Sequence, residues 1–219
     1  MNDFIDNLPL FFQSIWETIY IVVISLVASG VLGLALGVGL TVTRPGHLVA
    51  RRAVHVSLNV IVNIVRPVPF IIFAAAIGPL TMLAVHTTIG NTAVIFALSL
   101  AATFAVARIV EQNLLTVDPG VIEAARAMGA SPWNIILRVL IPEGLGPLVL
   151  GYTFLFVGIV DMSAQAALIG GGGLGTFAIV YGYQRFNWPV VYFSVAAIIV
   201  IVQAGQFFGN WLARRALRR

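Results

Sequence analysis

The chain has no cysteine and no lysine, so its formal net charge of +4 comes entirely from arginine. Without thiols there can be no disulfide framework and no thiolate metal site, and His47, His55 and His86 are too scattered to form a metal site of their own. Charged residues of either sign make up only 9% of the sequence, too few to suggest a nucleic-acid partner. No nucleophile stands near a base, no carboxylates are paired, and no phosphate-binding loop is complete, so an enzyme with its own catalytic centre is not expected. No internal repeat is visible, which removes the best sequence sign of an inverted-repeat secondary carrier. Met1 to Gln13 contains Asp3 and Asp6 but no basic residue, unlike the start of a cleavable signal peptide, so the first hydrophobic span is expected to be retained.

Apolar sequence is what the chain has in abundance. It is 60% hydrophobic with a mean hydropathy of +1.02, far outside the soluble range. A crossing helix needs ~20 apolar residues at ~1.5 Å each, so 219 residues hold about five spans and no separate soluble domain. The expected fold is therefore an all-α integral membrane protein with a single transmembrane domain over 1–219. Its spans are placed at 16–42, 55–78, 88–110, 144–169 and 188–213.

Along the first span Ser25, Ser29, Gly33, Gly37 and Thr41 recur at every fourth position, a small-residue face on which another helix can pack closely. Glu17 reads as an interfacial or helix-N-terminal charge. The second span contains Arg66, Pro67 and Pro69, so it is kinked or starts late, and Arg66 either faces the bundle interior or snorkels to an edge. Leu80 to Ile89 reads as a loop. Arg108 and Glu111, three apart, are placed to pair on the last turn of the third span. Asp161 in the fourth span has two readings: a boundary charge paired with Arg185, or a polar group on a substrate path beside Met162, Ser163 and Gln165. Gly170 to Gly175 lacks the lysine and hydroxyl ending of a nucleotide loop and reads as a helix break. Thr176 to Asn187 then reads as an aromatic, polar surface stretch.

Residues 118–142, DPGVIEAARAMGASPWNIILRVLIP, interrupt the apolar pattern. Asp118 followed by Pro119 is a helix start, Gly129 a left-handed stop, and Ser131 with Pro132 a second start. This predicts a short helix, a tight turn and another helix between two spans. Gathering this elbow, the Arg44 to Arg52 turn and the C-terminus on one side collects Arg44, Arg51, Arg52, Arg108, Arg126, Arg138, Arg214, Arg215, Arg218 and Arg219 there. Only Arg185 is clearly opposite. The positive-inside rule makes the loaded side cytoplasmic, with the N-terminus outside and the C-terminus inside. Trp16, Trp133, Trp188 and Trp211 fall at span ends, as in an aromatic belt.

The order Glu123, Ala124, Ala125, then Gly129, then Val139, Leu140, Ile141 and Pro142 resembles the EAA loop of ABC importer permeases, with conservative changes at Val139 and Ile141. Together with VTRPG, NIVRPVPFII, ARIVEQNLL, GGGGLG and YGYQRF, it makes the chain similar to permeases of methionine-uptake ABC importers, many of which have Met where Gln165 stands. The resemblance implies a five-span permease in a bacterial inner membrane, working as a homodimer with separate ABC ATPase subunits that bind the ATP. It also implies an extracytoplasmic substrate-binding lipoprotein and no cofactor or metal held by the permease itself. Glu123, Ala124, Ala125, Arg126, Gly129 and Trp133 would be the ATPase-coupling residues, with Ala124 and Ala125 allowing close approach and Glu123 and Arg126 supplying polar contacts. Two alternatives stay open: a permease for another small amino acid or nutrient, and an ATP-independent channel or scaffold subunit.

Overall fold

The computed structural model describes residues 7–217, and all regular structure in them is helical. Asp3, Asp6, Arg218 and Arg219 lie outside the described residues. Among the described residues the chain is organised by α1 Leu8–Thr43, α2 Arg52–Val65, α3 Phe70–Ala76, α4 Gly78–Val85, α5 Asn91–Leu114, α6 Pro119–Ala127, α7 Pro132–Ile135, α8 Leu145–Gln165, α9 Leu174–Thr176 and α10 Trp188–Leu217, with a further α turn at Ile141–Glu143. Of these, α1, α5, α8 and α10 are each long and apolar enough to cross a membrane. The pair α2 and α3, bent by 109° at its break, makes a fifth span if it crosses as one.

The break is set by Pro67 and Pro69, which lack the N–H donors that a continuing helix would need. Arg66 caps α2 and is exposed. α1 begins eight residues before the expected boundary and is 36 residues long, ~54 Å at ~1.5 Å per residue, well beyond a ~30 Å hydrocarbon core. One segment expected to be a loop is helical, and one expected at the surface is partly buried. Leu80 to Ile89 is largely α4, which opens with Gly78 and Pro79 in its first turn, where proline forfeits no bond. Thr176 to Asn187 is mostly helical turns: α9 runs into a π turn, Phe177–Gly182, and a 3₁₀ turn, Tyr183–Arg185, that bury Phe177 and Gly182.

The chain divides into two compact units, drawn from Met1–Ser29, Val68–Ala102 and Phe156–Gln206, and from Gly30–Pro67, Thr103–Leu155 and Phe207–Arg219. In the first, Ile21, Val22, Phe70, Ala74, Val94, Leu98, Ile159 and Val160 form the core. In the second, Val106, Val110, Leu114, Ile136, Leu140, Leu148 and Leu155 do so, with Leu40, Val62 and Ala107 as a satellite. The small-residue face of α1 packs as expected. Ser25, Ser29 and Thr41 are fully buried, while a side chain added at Gly33 or Gly37 would collide with Val106 or Val110 of α5. The Ser29 and Thr41 hydroxyls donate to Ser25 O and Gly37 O one turn back, so the helix contact buries no unpaired donor at either position.

Candidate functional site

The elbow between α5 and α8 is built as its residues dictate. Asp118 caps α6, its carboxylate accepting from Gly120 N at 2.8 Å. α6 ends where Gly129, at φ +77°, lets Ala130 N reach back to Ala125 O at 3.1 Å and Gly129 N to Arg126 O at 2.9 Å, the paired bonds of a left-handed helix stop. Ser131 then caps α7, accepting from Asn134 N at 3.4 Å. From α7 the chain continues through a π turn, Ile136–Leu140, and one further turn, Ile141–Glu143, toward α8. The wide turn absorbs Pro142, which cannot donate into a regular helix.

Burial divides the elbow into two faces. Ala125, expected among the coupling residues, instead turns inward with Ile135 and Ile136, and Ile122 packs against the core of the second unit. Outward face Glu123, Ala124 and Arg126, followed by Met128 at 82% exposure and Trp133 at 70%. Trp133 also borders a hollow of about 330 Å³ lined by Val42, Thr43, Val49, Arg51 and Val54 from the α1–α2 turn and its flanks. The same turn carries His47. Burial first, then the charges of Arg44, Arg126 and His55, hold its imidazole below the ordinary value of 6.5.

The residues expected on a path, Asp161, Met162, Ser163 and Gln165, have different surroundings. Asp161 is exposed and accepts from Gln165 Nε2 at 3.4 Å, one turn away on the same face. Ser163 is buried and donates to Val160 O, and Met162 packs against the core of the first unit. Asp161 does not pair with Arg185, whose guanidinium lies 4.7 Å from the centre of the Tyr181 ring. An aromatic face and open solvent hold that cation without a carboxylate. Arg108 and Glu111 do pair, forming the salt bridge among the described residues.

One constellation was not read from the sequence. Gly172 N donates to Asn91 Oδ1 at 2.7 Å, Gly173 N to Glu17 Oε2 at 2.8 Å, and Leu174 N to Thr18 Oγ1 at 2.8 Å. The glycine run is thus clamped by side chains of α1 and α5. At Gly173, φ is +93° and an added Cβ would lie 2.7 Å from Thr18 Oγ1, so glycine is required twice over. The adjacent polar pair Glu17 and Thr18, facing into an apolar helix, is the signal that points to it.

Residues 32–219 match the family described as the inner membrane component of binding-protein-dependent transport systems. The chain belongs to this family. It is 41% identical over 213 residues to the probable D-methionine transport system permease protein MetI of Vibrio cholerae, covering 97% of this chain and 95% of that one. The corresponding Pasteurella multocida protein is 39% identical over 199 residues, 91% of this chain and 92% of the relative. Among solved structures, a chain of the MetNI methionine ABC transporter in an inward-facing conformation superposes with a TM-score of 0.94 at 37% identity, covering 96% of this chain and 98% of that one. As an inner membrane component, the chain is a multi-pass transport permease, and its elbow falls wholly within the matched region. Glu17 and Thr18 lie before that region begins.

Proposed function

We propose that the chain is the permease of an ATP-driven methionine importer. Two copies form the translocation path, and a pair of separate ATPase subunits binds ATP and docks on the elbow from the cytoplasm. A substrate-binding lipoprotein delivers methionine at the opposite surface. The N-terminus lies outside and the C-terminus in the cytoplasm. On this reading α6 is the coupling helix: Glu123, Ala124 and Arg126 meet the motor, Trp133 anchors the second limb, and Gly129 sets the angle between the two. Asp161, Met162, Ser163 and Gln165 belong to the path or its gate, and no cofactor is held by the permease. The observation that carries the reading is the two-faced elbow, rigidly capped at both helix starts and presenting exposed Met128 and Trp133. The homology to methionine permeases supplies the substrate.

The test is reconstitution with the ATPase and the receptor, followed by uptake of labelled methionine in competition with L-methionine, D-methionine and other amino acids. Unlabelled methionine should compete and unrelated amino acids should not. Replacing Met128 and Trp133 together by alanine should leave the permease folded but sharply reduce both ATPase capture and uptake. Retention of full coupling by that double variant, and by Glu123→Ala with Arg126→Ala, would remove the elbow from the mechanism.

A further inference from the structure

α2 interrupts a run of valines and isoleucines with Arg52, His55, Asn59 and Asn63, and Arg66 caps its end. At 3.6 residues per turn these five positions fall within an arc of about 80°. Exposed Ile61 and Ile64 occupy the opposite side. Arg108 of α5 is set against the stripe: its Nη2 donates to Asn59 Oδ1 at 2.6 Å and Asn63 Oδ1 at 2.7 Å, and its Nη1 donates to Glu111 Oε2. Asn63 Nδ2 also donates to Asn59 Oδ1 at 3.3 Å. With both amide oxygens turned onto the guanidinium, the asparagine groups left over are N–H donors, and His55 Nδ1 is spent on Leu40 O at 3.0 Å. Glu111, the carboxylate at the cluster, is 5% exposed. Among the described residues neither Arg52 nor Arg66 forms an ion pair. A face of donors and uncompensated positive charge on a membrane helix cannot be left to lipid, which solvates neither.

We infer that this stripe, with Arg108 set against it, lines a watered stretch of the translocation path and receives the carboxylate of a zwitterionic amino acid. The inference rests on the permease reading above and adds to it the groups that meet the substrate. The guanidinium forks of Arg52 and Arg66, which no carboxylate of the described residues engages, suit a carboxylate, and the asparagine amides supply neutral donors that hold it loosely enough to release it. Arg52 and Arg66, roughly 21 Å apart at ~1.5 Å per residue, place a positive charge at each end of the stripe.

Because the chain has no cysteine, a single introduced thiol reports its own surroundings. Asn59→Cys, Asn63→Cys, Ile61→Cys and Ile64→Cys are made in the permease and assembled with its ATPase in proteoliposomes. Each is exposed to an anionic or a cationic methanethiosulfonate, and label is counted on the permease polypeptide. A thiol in water ionises and reacts while one in lipid does not, so the asparagine positions should react roughly tenfold or more faster than the isoleucine positions. The positive stripe should favour the anionic reagent over the cationic one by about tenfold. L-methionine should slow labelling at residues 59 and 63, whereas its methyl ester, which lacks the carboxylate, should not. Equal reactivity at all four positions, no preference for the anion, or equal protection by the ester would overturn the inference. So would slow labelling at residue 63 together with an efficient oxidative cross-link between two copies there, which would make the stripe a protomer interface. Wild-type methionine uptake in the same vesicles separates the two proposals: uptake with uniform thiol reactivity sinks the stripe alone, and absence of uptake sinks the importer reading.

Discussion

At Glu17 a single carboxylate decides whether a buried backbone donor is satisfied. It accepts from Gly173 N with one oxygen and from Gln13 Nε2, at 2.9 Å, with the other. Glu17→Ala orphans the Gly173 amide, and a buried donor without a partner costs about 1–3 kcal/mol. Glu17→Gln keeps an oxygen in reach. The alanine variant should therefore lower the thermal midpoint of the detergent-purified permease by several degrees, while the glutamine variant stays close to wild type; equal losses in both would show that charge, not the acceptor, matters there. His47 gives a second prediction at this scale. Its imidazole is held below the ordinary 6.5, so between the lowered value and 6.5 the unfolded chain binds more protons than the folded one. Stability should rise with pH through that window, level off above about 6.5 and fall on acidification. His47→Gln should flatten the acid limb in unfolding measured from pH 5.5 to 7.5.

α6 depends on local chemistry, because it has nine residues and buries only Ala125 fully. Removing its cap with Asp118→Ala should cost about 1 kcal/mol of helix stability. The loss should appear as faster amide exchange at Val121, Ile122 and Glu123 and as weaker ATPase capture, with α5 and α8 unchanged; unchanged exchange in α6 would mean that packing of Ile122 and Ala125 alone holds it. This elbow was legible in the sequence because its signals are local: a cap, a proline and a left-handed glycine each act within a few residues. The small-residue face of α1 was legible for a similar reason, since a four-residue period marks one side of a helix. What was not legible depends on distant partners. The clamp on Gly172, Gly173 and Leu174 joins residues about 80 and 156 positions apart, and the polar pair Glu17 and Thr18 in an apolar helix hints at it without naming the partner. Thr176 to Asn187 reads as an aromatic, polar surface stretch, yet Phe177 is buried and stacked at 5.5 Å on Tyr181, and the segment winds into helical turns. The Asp161–Arg185 pairing failed because charge complementarity says nothing about which side chains actually face each other.

For the whole molecule the number of spans turns on the bent pair α2–α3, and topology makes its crossing testable. Since α8 and α10 each cross, the elbow and the end of α10 lie on one side whatever α2–α3 does, and the glycine run and Phe186 lie on the other. The α1–α2 turn joins the elbow's side only if the bent pair crosses once. Two observations favour that. The turn and the elbow belong to the same compact unit, with the charge of Arg126 felt at His47 and a shared hollow beside Trp133. Crossing also gathers Arg44, Arg51 and Arg52 with Arg126 and Arg138, as the retention of basic loops in the cytoplasm requires. Met128→Cys, Ala50→Cys and Phe186→Cys place thiols at exposed positions in a chain that otherwise has none. With an impermeant maleimide, residues 128 and 50 should label in inverted vesicles and residue 186 in right-side-out cells. Labelling of residue 50 from the same side as residue 186 would make α2–α3 a re-entrant hairpin and reduce the chain to four spans, even though the elbow still met the cytoplasm.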